Sequence, residues 1–469
     1  MYDFNDNSEG LNVNDLVSQY EKMIAGGDNV FFDADSFQDI IDYYEDIFET
    51  TKALQVIEHA LVHYPYSAVF QIRKAQLLLE EDRVEAANDA LRIAKLYEPS
   101  NIDVILTEAE IFQHSGKYFE ALEMIDRALL LADKTDLEDI YLLEATIFES
   151  QEDFRASYDS LVKVLKINPY NELAFSRLWM CMELSECYEH GVRVNLEIID
   201  LAPYSYWAWY NLAHAYFQIG LFEKSIEAYD YTIIINENFE FAYRDIINCL
   251  FRINNFELAK KYVDEYKVQF GKDAEVLLWE GECYENLQDF DKARSLYFEA
   301  MKIDSLDGRI DYRIGVSYAS QNNWRMARIS FEHAHRLNKE SEEYCIALAE
   351  AYNQLDELSL AYKFYKKAIV LAPEEILTWI SYLEFLIDGA DYDTAFDALQ
   401  NAKDYSNDVL LEFCESALNI LSGSRKEGIN QFLSLVYRDE DYQKLFEIAP
   451  ELEKDVEIIS IIRDFKHKN

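Results

Sequence analysis

Residues 206–239 read YWAWYNLAHAYFQIGLFEKSIEAYDYTIIINENF, and the spacing of large and small side chains in this stretch decides the fold. Trp209, Leu212, Ala213 and Tyr216 fall at i, i+3, i+4 and i+7, the interval that gathers apolar groups on one face of an α-helix. Gly220 interrupts the pattern, and Phe222, Ser225, Tyr229 and Thr232 resume it. The stretch predicts two amphipathic helices joined by a tight turn. Neither helix can bury its apolar face alone, so the pair needs neighbours of the same kind.

Those neighbours are visible as a period of 34 residues. Pro65 and Pro99 stand one period apart, as do Pro169 and Pro203, and Pro373 follows Pro203 by five periods. Stepping by 34 from Ala53 meets Ala87 and Ala121. After a two-residue insertion near Lys134–Leu137 the column continues through Ser157, Gly191, Ser225, Ala259, Ala293, Ala327, Ala361 and Ala395. A second column, seven residues further on, runs from Ala60 through Ala94 and Ala128 to Ala402 and is mostly small. Small residues at a fixed period mean helices packed closely at that point in every unit. Units are expected to start at Ala34, Ala68, Ile102, Glu138, Glu172, Tyr206, Glu240, Ala274, Gly308, Glu342 and Ile376. Trp179 breaks the small pattern of Ala145 and Ala213, and is expected to face Gly191, large against small.

The motif Trp209-x-x-Leu212-Ala213-x-x-Tyr216 with Ser225-x-x-x-Tyr229 resembles the tetratricopeptide-repeat signature, and the resemblance runs from about Ala34 to Asp408. It implies an all-α, right-handed superhelical solenoid of eleven to twelve helix-turn-helix units closed by helical caps. Residues 1–33 are expected to hold a disordered start and an N-terminal capping helix. Residues 34–408 are expected to form eleven units, and residues 409–469 a degenerate repeat with C-terminal capping helices.

Composition excludes several function classes. With 89 acidic against 43 basic residues the formal net charge is -46, which repels nucleic-acid phosphates and anionic membrane surfaces. Charged residues interrupt every apolar run before it reaches a membrane-spanning length. The acidic start at Asp3, Asp6 and Glu9 lacks the pattern of a secretory signal, so a cytoplasmic location is expected. Cys181, Cys187, Cys249, Cys283, Cys345 and Cys414 form no CxxC pair, which suits reduced thiols. No phosphate-binding, serine-hydrolase or zinc-protease motif is present. His59 and His63 are spaced i, i+4 but lack a third ligand nearby, and His333 and His335 diverge on a helix. No catalytic residue, metal or cofactor is assigned.

The resemblance further implies that positions 2, 5, 9 and 12 of each unit line the concave face, counting the start of the first helix as position 1. In most units these are acidic or neutral, as in Asp35, Gln38, Asp42 and Glu45. Units six and seven differ: the same positions hold Trp207, Tyr210, His214 and Phe217, then Phe241, Arg244, Asn248 and Phe251, with Arg252 adjacent. Trp209, Leu212 and Tyr216 are expected to fill the core, leaving these aromatics as an exposed interface. Arg244 and Asn248, together with Arg309 and Arg313 two units on, partly resemble the carboxylate clamp of chaperone-binding repeat proteins, with Trp279 where that family has an Asn. Arginine forks bind carboxylates through paired hydrogen bonds, although Glu275, Glu282 and Glu285 can equally neutralise these cations. The expected function is a non-catalytic interaction scaffold or chaperone-like adaptor. Its partner would be another protein or peptide, with an acidic or C-terminal carboxylate segment. The alternative is a self-associating structural subunit of a larger assembly.

Overall fold

The structure is a computed structural model that describes residues 13–26, 30–438 and 442–468. Among them are 27 α-helices and one short 3-10 helix, and no strand. The chain divides into two compact units, Met1–Cys249 and Leu250–Asn469. The first contains α1 (Val13–Ile24), α2 (Ala34–Asp46), α3 (Thr50–His63), α4 (Ala68–Glu80), α5 (Val84–Tyr97), α6 (Ile102–His114), α7 (Tyr118–Leu131), α8 (Leu137–Ser150), α9 (Phe154–Ile167), α10 (Glu172–Ser185), α11 (Tyr188–Leu201), α12 (Tyr206–Gln218) and α13 (Phe222–Ile235). The division falls near the end of α14 (Glu240–Arg252). The second unit continues with α15 (Phe256–Phe270), α16 (Ala274–Asn286), α17 (Phe290–Ile303), α18 (Gly308–Ser320), α19 (Trp324–Leu337), α20 (Glu342–Gln354), α21 (Leu358–Leu371), α22 (Ile376–Asp388), α23 (Tyr392–Lys403), α24 (Val409–Leu421), α25 (Arg425–Arg438), α26 (Gln443–Ile448) and α27 (Val456–Lys468). The expected disorder of the first ten residues lies outside the described residues.

Three columns of local chemistry set the 34-residue beat. The first caps the leading helices: Asp33, Ser67, Asn101, Asn171, Asp273, Asp307 and Ser341 each precede a helix and accept a hydrogen bond from a backbone N–H in its first turn. These groups would otherwise be orphaned donors. The second is the turn inside each repeat, where one residue adopts a left-handed backbone. Gly116 and Gly220 do so freely, whereas Phe48, Asp82, Glu152, Glu186, Asn254, Gln288, Asn322, Asp356 and Ala390 do so with a Cβ, at φ between 50° and 64°. The third is the small-residue column. All eleven of its members, from Ala53 to Ala395, are buried, and so are all eleven of the second column.

Close approach explains those columns and reveals a further pairing. A Cβ added to Gly281 would lie 2.2 Å from the Tyr297 ring, and one on Gly315 would lie 2.3 Å from the Phe331 ring. Both glycines occupy position 8 and both rings position 24. Where position 8 is large, position 24 lacks an aromatic: Ile41 with Ile57, Ile247 with Val263 and Leu383 with Leu399. In repeats eight and nine the missing side chain at position 8 thus makes room for the ring at position 24.

Two expectations need correction. The fourth leading helix begins at Leu137, one residue before Glu138, because the inserted turn closes on itself: the Asp133 N–H donates to Asp136 Oδ2 at 2.9 Å and the Thr135 N–H to Asp133 Oδ1 at 2.8 Å. Gly191 faces Met182, whose sulfur would lie 2.3 Å from an added Cβ. Trp179 packs instead against the His214 ring at 5.3 Å. Position 11, one turn beyond Trp179, is the side chain that reaches the small column there.

Helices outside the 34-residue pattern pack onto their neighbours at both ends of the described residues. On α1, Leu16, Val17 and Tyr20 are buried with Phe37, Ile40 and Ile57, and the Tyr20 hydroxyl meets His59 Nδ1 at 2.7 Å. At the other end Leu445, Ile448, Leu452 and Ile458 join the core built on Leu411, Phe413 and Phe432. Arg425 ties the last turn down through Asp455 at 2.8 Å.

Candidate functional site

In the first unit the predicted aromatics gather around a residue that the sequence did not single out. Phe239 precedes α14, in the column that other repeats give to a capping Ser, Asp or Asn. A phenylalanine cannot cap a helix, so its presence there signals another job. Its ring lies 5.0 Å from Trp207, 5.0 Å from Tyr210, 5.1 Å from Tyr206 and 5.6 Å from Phe241, mostly edge to face, as ring quadrupoles favour.

This packing changes the expected roles. Tyr210 is buried beneath Phe239, with its hydroxyl donating to Asp245 Oδ2 at 2.8 Å. Burial holds the Asp245 carboxyl above the usual range. Trp207 and Phe217 are half-buried, Phe217 against Phe222 at 5.4 Å. His214 meets Glu183 Oε1 at 2.5 Å, which fixes its ring over Trp179. Phe241 alone of the cluster stands well out, 60% exposed. Trp209, expected in the core, lies at the helix edge, stacked on Tyr231 at 4.4 Å with its indole N–H donating to the Pro203 carbonyl at 2.9 Å. The core there is built from Ala208, Leu212, Ala213 and Ala215. Arg244 pairs with Glu240 at 2.7 Å, one turn back on α14, and Asn248 is exposed. The first-unit site is therefore an aromatic platform with one projecting ring and an arginine alongside.

In the second unit Arg309 and Arg313, one turn apart on α18, border a groove of about 230 Å³ with Trp279, Tyr312 and Tyr344. Arg313 is held by Glu282 at 2.9 Å and by Glu285 at 4.0 Å. Burial raises both glutamates above the normal carboxylate range, against the lowering effect of Arg313. Arg309 pairs with Asp307 at 2.8 Å and approaches Glu275 at 4.0 Å, yet stays 61% exposed. The glutamates of the intervening helix thus occupy the arginines, and only Arg309 retains an open side. Phe251 packs on Phe256 at 5.8 Å, and Arg252 is exposed.

The thiols and histidines have structural surroundings. All six cysteines are free and buried. Burial pushes the Cys181 and Cys249 thiols up to about 11 and that of Cys283 to about 12, far from the range of a reactive thiolate. His63 stacks on Phe37. No helix among the described residues is long and apolar enough to cross a membrane.

The sequence model described as tetratricopeptide repeat matches residues 208–230 and 342–375. These two stretches are tetratricopeptide repeats. No curated protein sequence matches it. Among solved structures, the chain is similar to yeast Tom70, at 12% identity over 89% of this chain and 98% of that one, with a TM-score of 0.44. It is also similar to a tetratricopeptide repeat protein from Parabacteroides merdae, at 14% identity over 50% of this chain and 93% of that one, with a TM-score of 0.42. A chain of the APC/C hetero-tetramer Cut9-Hcn1 matches at 12% identity over 97% of this chain and 95% of that one, with a TM-score of 0.41. Tetratricopeptide repeats generally serve as non-catalytic scaffolds for protein–protein interaction.

Proposed function

We propose that this protein is a cytoplasmic scaffold or adaptor whose eleven repeats, over residues 34–408 between capping helices, hold a segment of another polypeptide along the faces of their leading helices. The observation that carries this reading is Phe241: a large ring 60% exposed on a platform of aromatic neighbours that already fix one another. A pre-ordered aromatic loses little rotamer entropy on binding and anchors a partner efficiently. In the second unit, the open side of Arg309 suits a carboxylate, from an acidic side chain or a chain terminus. A ligand there competes with Asp307 and Glu275, so its contribution is modest.

The test is capture of partners from a native extract by the full chain, in parallel with Phe241→Ala and Arg309→Glu variants of checked folding. Loss of a partner with either variant supports the corresponding contact. Identical captures by all three forms overturn both contacts.

A structural, self-associating role is the second reading, and one observation favours it. Val62, Leu96 and Leu130, in the last turns of the trailing helices of the first three repeats, and Tyr66 just beyond the first of them, are 73–86% exposed. Sedimentation across a hundredfold dilution separates the two, since only a self-associating chain changes size.

A further inference from the structure

The leading helices of the first four repeats, α2, α4, α6 and α8, enclose a groove of about 690 Å³. Its apolar lining includes Leu77, Leu79, Leu106, Leu142 and Leu143, and its acidic lining Glu45, Glu80, Asp103, Glu110 and Asp139. One arginine reaches it, Arg73, and that cation is already committed to Asp42 and to Glu45 at 2.7 Å. The second Glu45 oxygen, Oε1, is out of contact with solvent and has no hydrogen-bond partner. Glu80, Asp103, Glu110 and Asp139 have no side-chain hydrogen bond or ion pair among the described residues. Burial, with the neighbouring Glu80 charge, pushes Glu110 up to about 7. Burial raises Asp139 as well, together with the charges of Glu138, Asp103 and Asp136.

Carboxylates placed together on leucines without a counter-charge weaken the fold that carries them. They differ from Glu282 and Glu285 of the second unit, which have Arg313. A groove that is open, apolar beneath and uncompensated in charge is complementary to long side chains with an alkyl stem and a cationic head. We propose that the groove of repeats one to four binds a Lys- or Arg-bearing segment of another polypeptide, with the stems against Leu106 and Leu142 and the cations on Glu80, Asp103 and Glu110. This rests on the scaffold reading above and deepens it, naming a second groove and the opposite ligand charge, and its test is independent of Phe241 and Arg309.

The experiment incubates the full-length protein with an array of randomised ten-residue peptides at low and moderate salt. The wild-type chain is compared with a Glu80→Gln/Glu110→Gln variant. A Glu123→Gln/Asp126→Asn variant on α7 makes the same change in net charge outside the groove. Replacing uncompensated carboxylates by neutral isosteres relieves repulsion, so the groove variant remains folded, which circular dichroism verifies. The expected result is enrichment of Lys and Arg beside apolar residues, with at least a tenfold loss of affinity in the groove variant, none in the α7 variant, and weakening with salt. Enrichment unchanged by Phe241→Ala and Arg309→Glu separates this groove from the scaffold contacts. Equal loss in both charge variants, or no preference for basic over acidic peptides, overturns the proposal. Spermidine displacing the enriched peptide at matched concentration replaces the polypeptide by a small polyamine. A concentration-dependent dimer abolished by Glu80→Gln/Glu110→Gln replaces it by a second copy of the chain.

Discussion

Replacing Gly315 by alanine tests the fit between positions 8 and 24 inside the repeat. The added methyl would sit 2.3 Å from Phe331 Cε1 and 2.5 Å from Cδ1, and the ring is only 2% exposed. Overpacking of this kind costs about 1–3 kcal/mol. Alanine in place of a helical glycine also returns about 1 kcal/mol of backbone propensity, so the single substitution yields a small net loss that is hard to interpret alone. A double-mutant cycle removes the ambiguity. In a Phe331→Leu background the ring is gone, the clash is relieved and Gly315→Ala becomes stabilising by about 1 kcal/mol. The difference between backgrounds then isolates a coupling of about 1–3 kcal/mol. Thermal unfolding reads it as roughly 2–12 °C, at about 2–4 °C per kcal/mol for a unit of this size. Repeat nine and the following repeat make the comparison natural, because Ala349 and Tyr365 already coexist there. If Gly315→Ala shifts the transition equally in both backgrounds, the reciprocal sizing of positions 8 and 24 is not what holds the helix pair.

Phe241→Ala should lower partner affinity by tenfold or more, about 1.4 kcal/mol, while moving the thermal midpoint little, since the ring is 60% exposed; calorimetry and thermal denaturation check the two halves. Glu110 and Glu384, both raised to about 7 by burial and neighbouring acids, bind more protons in the folded than in the unfolded chain. Stability should therefore fall as pH rises from about 4.5 to 7 and level off above that. For Glu110→Gln the fall should be smaller by about 3 kcal/mol, measured by urea unfolding across that range. Arg313→Ala strips Glu282 and Glu285 of their shared cation and should cost about 2 kcal/mol near neutral pH, below the full price of a buried pair because Arg313 is one-third exposed. The deficit should shrink as acid protonates both glutamates, and the same titration of unfolding midpoints checks it.

The features readable in the sequence are those repeated in every unit. The small columns through Ala53 and Ala60 recur because two helix axes approach at the same place each time, and a period survives drift at single positions. What escaped the sequence is particular to one repeat. Phe239 was overlooked because it lies between helices, where no helical spacing marks it; the signal was negative, an aromatic in a column of capping residues. Tyr210 falls at a position expected to face a ligand, but Phe239 folds over it from the far end of the same repeat, and position along one helix cannot report cover from a connecting segment. Trp209 fits the apolar stripe by spacing, yet its indole N–H finds the Pro203 carbonyl at the edge. Met182 rather than Trp179 reaches Gly191 because an unbranched side chain bends into a gap that a rigid indole does not enter. The arginines were legible as cations, while the pairing of Arg313 with both Glu282 and Glu285 depends on how two leading helices register.

The left-handed turn residues give the array a built-in order of wear. Each turn must hold the same backbone twist, but Gly116 and Gly220 hold it without penalty, Asn and Asp at modest cost, and Phe48, Glu152, Glu186, Gln288 and Ala390 at more. Because repeats contact mainly their neighbours, such a cost stays where it arises. Limited digestion with a protease of broad specificity should therefore nick the chain early around Phe48, whose ring is 92% exposed, and last at the two glycine turns. The sequence of fragments over time would map, repeat by repeat, how far each turn has drifted from the residue that its shape prefers.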